Sequence, residues 1–282
     1  MTRIFIVGAG KCGLALARTL EASGHEIVGS TTRSTPSVML AWPNWTAAAL
    51  AAGAVTSLPL AEIVWMTLPD DALTDVPELA GPHQLVFHAS GAVAAEVLRA
   101  TQPAARSVAA CHPLQSYPGR EVPAEHSRDI SFGIQGESEA VDAAQALVRS
   151  MGSRPFVVAD EDAKALYHAA CCVASNAMVA LIDRAVTLFA GAGVSRSDAF
   201  RALSPLVSGT ASNLASAAEP VDVLTGPLAR GQRATIDKHR RVIATRLPEE
   251  SAHYEHICEE IRALMTRSLL ESGAELPEDP DA

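Results

Sequence analysis

Short, continuously apolar runs alternate with stretches of helical period through the first 159 residues. Positions 3–7, 25–31, 63–68, 84–88, 107–111, 130–135 and 154–159 read as strands. The run IVWMTL at 63–68 is apolar on both faces, as a strand covered from both sides must be. Helical periodicity fills 11–22, the segment after Asp70, 92–100 and 138–151, while 114–128 reads as loop. Strands separated by helices predict parallel βαβ units with right-handed crossovers. After Asp160 the pattern changes. Residues 161–192 keep one helical period, pieces follow at 195–204 and 208–218, and two more helices at 234–247 and 249–272 flank a loop at 224–231. The tail EDPDA is expected to fray. The expected architecture is an α/β domain over 1–159, with a mostly parallel, doubly wound sheet, followed by an all-α domain over 160–282.

The first strand runs straight into Gly8-Ala9-Gly10-Lys11-Cys12-Gly13 and then a helix. This is the context a dinucleotide-binding Rossmann turn requires. Gly8 permits the tight turn, Gly10 lets the backbone approach a pyrophosphate, and Gly13 allows close helix–sheet packing. The amides that open the helix then face the phosphates. An NAD-binding unit places Asp or Glu at the end of its second strand to hold the ribose 2′-hydroxyl. Here the segment is Ser30-Thr31-Thr32-Arg33-Ser34. With no carboxylate to repel a 2′-phosphate, Thr32 can donate to it and Arg33 can pair with it. The expected cofactor is NADP(H).

Composition narrows the remaining classes. The 282 residues are 48% hydrophobic and carry a formal charge of −10, with no basic stripe. Nucleic acid is therefore not an expected partner. No apolar run reaches 18 residues and no charged-then-apolar leader opens the chain, so a cytoplasmic protein without a membrane span is expected. Five cysteines without C-x-x-C spacing fit reduced thiols, and Cys171-Cys172 reads as a pair of small hydrophobes. Nine histidines lack ligand spacing, so no metal is expected.

Ligands of an open parallel sheet gather at the carboxyl ends of the strands. Three polar clusters sit there: Leu68-Pro69-Asp70, His88-Ala89-Ser90-Gly91 and Cys111-His112-Pro113-Leu114-Gln115. Leu68, Pro69, His88, Ser90 and Gly91 are candidate cofactor contacts, although the Ser90 hydroxyl could only cap the next helix. A fourth cluster opens the long helix with Lys164, Tyr167 and His168 and runs on to Asn176. Lys164 and His168 are neighbours about 6 Å apart along the axis, whereas Asn176 lies about 12 Å beyond His168. His168, His112, Lys164 and Asn176 are the candidate catalytic residues. Gln115, Tyr167 and Arg230 are candidate substrate contacts. The bland alternatives are a solvated Lys164, an interhelical bond for Asn176 and an ion pair for Arg230.

The blocks VGAGKCG, LPDDAL, HASGAV, CHPLQSY, YHAACCVASN and LTGPLARGQ occur in this order from residue 7 to residue 232. Together they resemble a family of Rossmann-like proteins whose helical C-terminal domain has no assigned function. That family is related to the 6-phosphogluconate-dehydrogenase-like reductases, among them ketopantoate reductase, pyrroline-5-carboxylate reductase and prephenate dehydrogenase. The resemblance implies an NADP-binding oxidoreductase that forms a homodimer through its helical domain. It names no firm substrate. Arg230-Gly231-Gln232 departs from an expected RGD, and HASG from a more usual HTSG, which removes a carboxylate and a hydroxyl. The His112-Pro113 pair is similar to that of prephenate dehydrogenases, while the Lys-and-Glu pairing of ketopantoate reductase has no clear counterpart. The expected chemistry is hydride transfer from NADPH to a small carbonyl or imine compound carrying a carboxylate. His168 or His112 would supply the proton, Lys164 or Arg230 would hold negative charge, and Asn176 would orient the substrate. Two alternatives stay open: a catalytically silent NADPH-binding sensor or scaffold, and an NADP-dependent hydroxy-acid dehydrogenase of the prephenate dehydrogenase type.

Overall fold

The structure is a computed structural model that describes residues 1–32, 46–49, 61–121 and 123–271. An eight-stranded sheet runs in the order β3-β2-β1-β4-β5-β6-β7-β8. Its strands are β1 (Arg3–Val7), β2 (Glu26–Thr32), β3 (Thr46–Ala49), β4 (Ile63–Met66), β5 (Leu85–His88), β6 (Ser107–Pro113), β7 (Ser131–Gly136) and β8 (Arg154–Val157). The order reverses beside β1, the topological switch point where such sheets bind ligands. Alternate residues of β1 feed two cores. Ile4 and Ile6 join Leu16, Leu20, Trp65, Phe87 and Phe132 on one face. Phe5 and Val7 join Val64, Met66, Val86 and Leu98 on the other. A strand buried on both sides has to be apolar throughout, and this is why the sheet was visible as uninterrupted apolar runs.

Helices α1 (Lys11–Ala22), α2 (Glu96–Thr101) and α3 (Ser138–Ser150) connect the strands. Several details differ from expectation. The strand β3 arises from Thr46–Ala49, an alanine-rich segment with no strand signal. After Asp70 the chain makes only a 3-10 turn, Asp70–Ala72, with no side-chain cap. The helix α2 begins at Glu96 rather than at 92. The strand β6 continues through His112 to Pro113, because β7 returns beside it antiparallel and pairs His112 with Gly133. Among its described residues the linking segment holds a 3-10 turn, Ala124–Ser127, and no crossover helix of the kind a parallel neighbour needs.

The chain divides into two compact units, Met1–Ser175 and Asn176–Ala282, so α4 (Glu161–Cys172) belongs with the sheet. Asp160 caps α4 by accepting from the Ala163 amide at 2.8 Å. Its helix passes through a π turn, Val173–Ala177, into α5 (Met178–Gly191). The second unit continues with α6 (Arg196–Ser216), α7 (Arg233–Arg246) and α8 (Ser251–Glu271). Helix α6 is one element where two pieces were expected. Pro205 removes one ladder bond and does not end it. Among the described residues one helical span, Glu161–Gly191, is long and apolar enough to cross a membrane, with a mean hydropathy of 1.6 over its most apolar window. Single polar residues such as Ser175 and Asn176 interrupt the apolar run without lowering this average below the spanning range.

Candidate active site

The glycine turn after β1 has three distinct demands. Gly8 adopts φ +102°, which a side chain would strain. A Cβ on Gly13 would lie 2.3 Å from the Gly8 carbonyl oxygen and 2.4 Å from Thr67 Oγ1, whereas a Cβ on Gly10 would meet nothing within 4 Å. Gly10 is the N-cap of α1 and offers its first amides no side-chain acceptor, and no acidic residue lies in the first turn. Open space before uncapped helix amides fits a pyrophosphate. Lys11 is exposed beside this space, while Ala9 is buried and Leu68 packs against Gly8. Burial pushes the Cys12 thiol up to about 12, so it stays neutral. Thr67, which no sequence signal singled out, donates from Oγ1 to the Gly8 carbonyl at 2.6 Å and locks the turn to β4. Thr32 ends β2, and Arg33 lies outside the described residues.

Three histidines gather around the Ser90-Gly91 turn, but they are not equivalent. His88 is fully buried, and both its ring nitrogens are engaged within its own turn. Nδ1 accepts from the Ser90 amide at 3.2 Å, and Nε2 donates to the Ala94 carbonyl at 3.3 Å. Burial and the Lys164 charge pull its pKa down to about 4, so it is a neutral structural residue. The Ser90 hydroxyl accepts from the Ala92 and Val93 amides and so closes the turn before α2, whose own N-cap, Ala95, has no side-chain cap. His112 sits 3.0 Å from Tyr167 through Nδ1 and packs edge-on to His168 with centroids 5.6 Å apart. Desolvation, then Lys164 and His168, pull His112 down to about 4 as well. At neutral pH its ring is therefore uncharged. His168 is half-buried, and its Nδ1 has no partner among the described residues; Nε2 touches Cys172 Sγ at 4.0 Å. Gly91 is needed here, because a Cβ would lie 2.4 Å from His168 Cδ2 and 2.9 Å from His112 Nε2.

Lys164 is neither solvated nor free to hold a ligand. Its side chain is fully buried, and Nζ donates to the Ser90 carbonyl at 3.0 Å. It pins the turn beneath the histidines and supplies positive charge to them. Burial pulls its ammonium from 10.5 down to about 8, partly offset by Cys111 and Asp70. Since the folded value is the lower one, the native state is penalised in full below pH 8. That penalty is relieved as pH rises from 8 through 10.5. Lys164→Met is therefore expected to raise stability at pH 7 by about 1–2 kcal/mol after the lost Ser90 bond is counted. Urea titrations at pH 7 and pH 10.5 check this: the gain should be absent at the higher pH, and a loss at pH 7 would refute it.

Other candidates are engaged elsewhere. The Gln115 amide donates to the His126 carbonyl and accepts from the Ser116 amide within the loop. Asn176 is exposed in the second unit, in the π turn. Arg230, also there, donates to Gln232 Oε1 at 3.2 Å. Among the described residues no cluster of three or more His, Cys, Asp or Glu side chains is placed to hold a metal.

Comparison with known proteins adds the family. No curated protein matches the chain significantly. Protein TM1727 from Thermotoga maritima has a similar structure, with a TM-score of 0.71 and 22% identity over 94% of this chain and 99% of that one. A reductive aminase from Aspergillus terreus, solved with NADPH and ethyl levulinate, gives 0.57 and 16% over 95% and 99%. A pyrroline carboxylate reductase from Plasmodium falciparum with NADP bound gives 0.56 and 13% over 93% and 98%. Likeness at these identities is a likeness of fold. Residues 2–118 match the Rossmann-like domain and residues 130–261 match a domain of unknown function, DUF2520. The chain belongs to the proteins that join a Rossmann-like domain to DUF2520.

Proposed function

We propose that this protein is an NADPH-dependent oxidoreductase acting on a small carbonyl or imine compound that carries a carboxylate. The observation that carries the reading is one of placement. A phosphate-ready glycine turn ends β1, and a partly exposed His168 on α4 packs against Gly91 and His112 at the carboxyl ends of β5 and β6 in the same mostly parallel sheet. Structures of this fold hold NADP or NADPH, and the segment ending β2 has no acidic residue. Bound NADPH would supply the hydride. His168 would protonate the atom that gains negative charge, and the buried Lys164 cation would favour an anionic substrate in the pocket. Loss of NADPH absorbance across a panel of 2-oxo acids and cyclic imino acids tests this, with NADP+ and hydroxy acids as the reverse arm. Silence across the panel with tight NADPH binding would instead favour the sensor.

We also infer a cytoplasmic homodimer formed through the helical unit. Among its described residues that unit has one small buried cluster, Val186, Ala199 and Leu203, besides the buried Ile236, Ile243 and Cys258. It leaves Val179, Phe200 and Leu206 at 68%, 58% and 66% exposure. An apolar surface of this kind calls for a partner. Light scattering after gel filtration should give twice the 29.5 kDa chain mass; a monomer would refute the inference.

A further inference from the structure

We propose that Tyr167 is a positioning residue whose phenol donates to His112 Nδ1 and so fixes His112 as a neutral Nε2–H hydrogen-bond donor facing the substrate. The two residues lie 55 positions apart and meet at 3.0 Å, with rings tilted 45° at a centroid distance of 5.8 Å. Either atom could in principle carry the proton. A phenol is the better donor and an imidazole nitrogen the better acceptor, so O–H···N is the favoured pairing. Burial pushes the Tyr167 phenol up, which keeps its proton available to donate. Its ring cannot swing away, because it stands edge-on to Phe156 at 5.6 Å, and Gly133 leaves it room, since a Cβ there would lie 2.8 Å from Tyr167 Cζ.

With Nδ1 accepting, the single imidazole proton must sit on Nε2. That atom has no partner among the described residues, and it lies close against Gly91, where a Cβ would come within 2.9 Å of it. The groups around His112 are Lys164, Tyr167 and His168 from α4, His88 from the end of β5 and Cys111 on its own strand. None of these is a carboxylate that could draw a second proton onto the ring. The consequence for substrate rests on the reductase reading above. A neutral N–H donor beside a cation suits an oxygen that gains negative charge. It does not suit a protonated iminium nitrogen, which is itself a cationic donor. The site is built for an oxo acid in preference to an imino acid.

Ring-nitrogen NMR of the full chain, labelled with 15N-histidine and assigned through His112→Asn, tests the tautomer directly. At pH 7 His112 should show a protonated Nε2 and a bare Nδ1, and Tyr167→Phe should turn this into a mixture of both tautomers. A protonated Nδ1 in the parent protein, or no change in Tyr167→Phe, would overturn the proposal. With NADPH, Tyr167→Phe should lower kcat on a 2-oxo acid about tenfold with NADPH affinity unchanged. Preference for the cyclic imino acid would overturn the substrate assignment. If neither compound is reduced, the reductase reading fails while the NMR result still decides the role of Tyr167.

Discussion

His168→Ala is expected to lower turnover about 10²–10⁴-fold, the range lost with a positioned proton donor, and to leave NADPH affinity unchanged. Three histidines share the turn after β5, and their surroundings separate them. Both nitrogens of His88 are tied to Ser90 and Ala94. Burial and Lys164 hold His112 uncharged at pH 7, with a pKa of about 4. His168, like His112, keeps one ring nitrogen without a partner among the described residues on a partly exposed side chain, and what separates the two is the downward shift of His112. Its position is fixed by the edge-on contact with His112 and by the absence of a side chain at Gly91. Steady-state kinetics with a turned-over substrate and a fluorescence titration with NADPH separate the two effects. Equal loss of both would mean that His168 props the turn and moves no proton.

Much of the sheet was legible, because a strand covered on both faces must be apolar at every position. The glycine turn was legible because Gly8 and Gly13 answer local steric demands and Gly10 leaves open space before the first amides of α1. What escaped the sequence depends on contacts between distant segments. Whether Lys164 is solvated or buried is decided by the Ser90 carbonyl 74 residues away. The pairing of His112 with Tyr167 exists only because β6 runs two residues past its expected end, where β7 lies antiparallel beside it. Thr67 carries no motif, since a hydroxyl at a strand end is common and only the Gly8 carbonyl opposite gives it a task. His88 shows the reverse case. A histidine at a strand end looks chemical in sequence, and its own turn takes up both nitrogens.

Alanine at Gly13 and alanine at Gly10 should fail in opposite ways, although both change one motif by one methyl group. At Gly13 the new carbon would sit 2.3 Å from a backbone oxygen and 2.4 Å from the Thr67 hydroxyl that locks it. Neither can swing aside like the end of a long side chain, so α1 must move off the sheet and the Thr67–Gly8 bond must stretch. The expected cost is about 1–3 kcal/mol or more, as for other overpacked sites, read as a lower urea midpoint without ligand. At Gly10 the carbon would enter open space at an extended N-cap, with φ −82° and ψ −165°. Unliganded stability should then change by no more than about 1 kcal/mol. That same open space is where a pyrophosphate would approach the first amides of α1. NADPH affinity should therefore fall at least about 100-fold, or about 2.7 kcal/mol. If Gly10→Ala binds NADPH as the parent does, the phosphates lie elsewhere and the turn only joins β1 to α1.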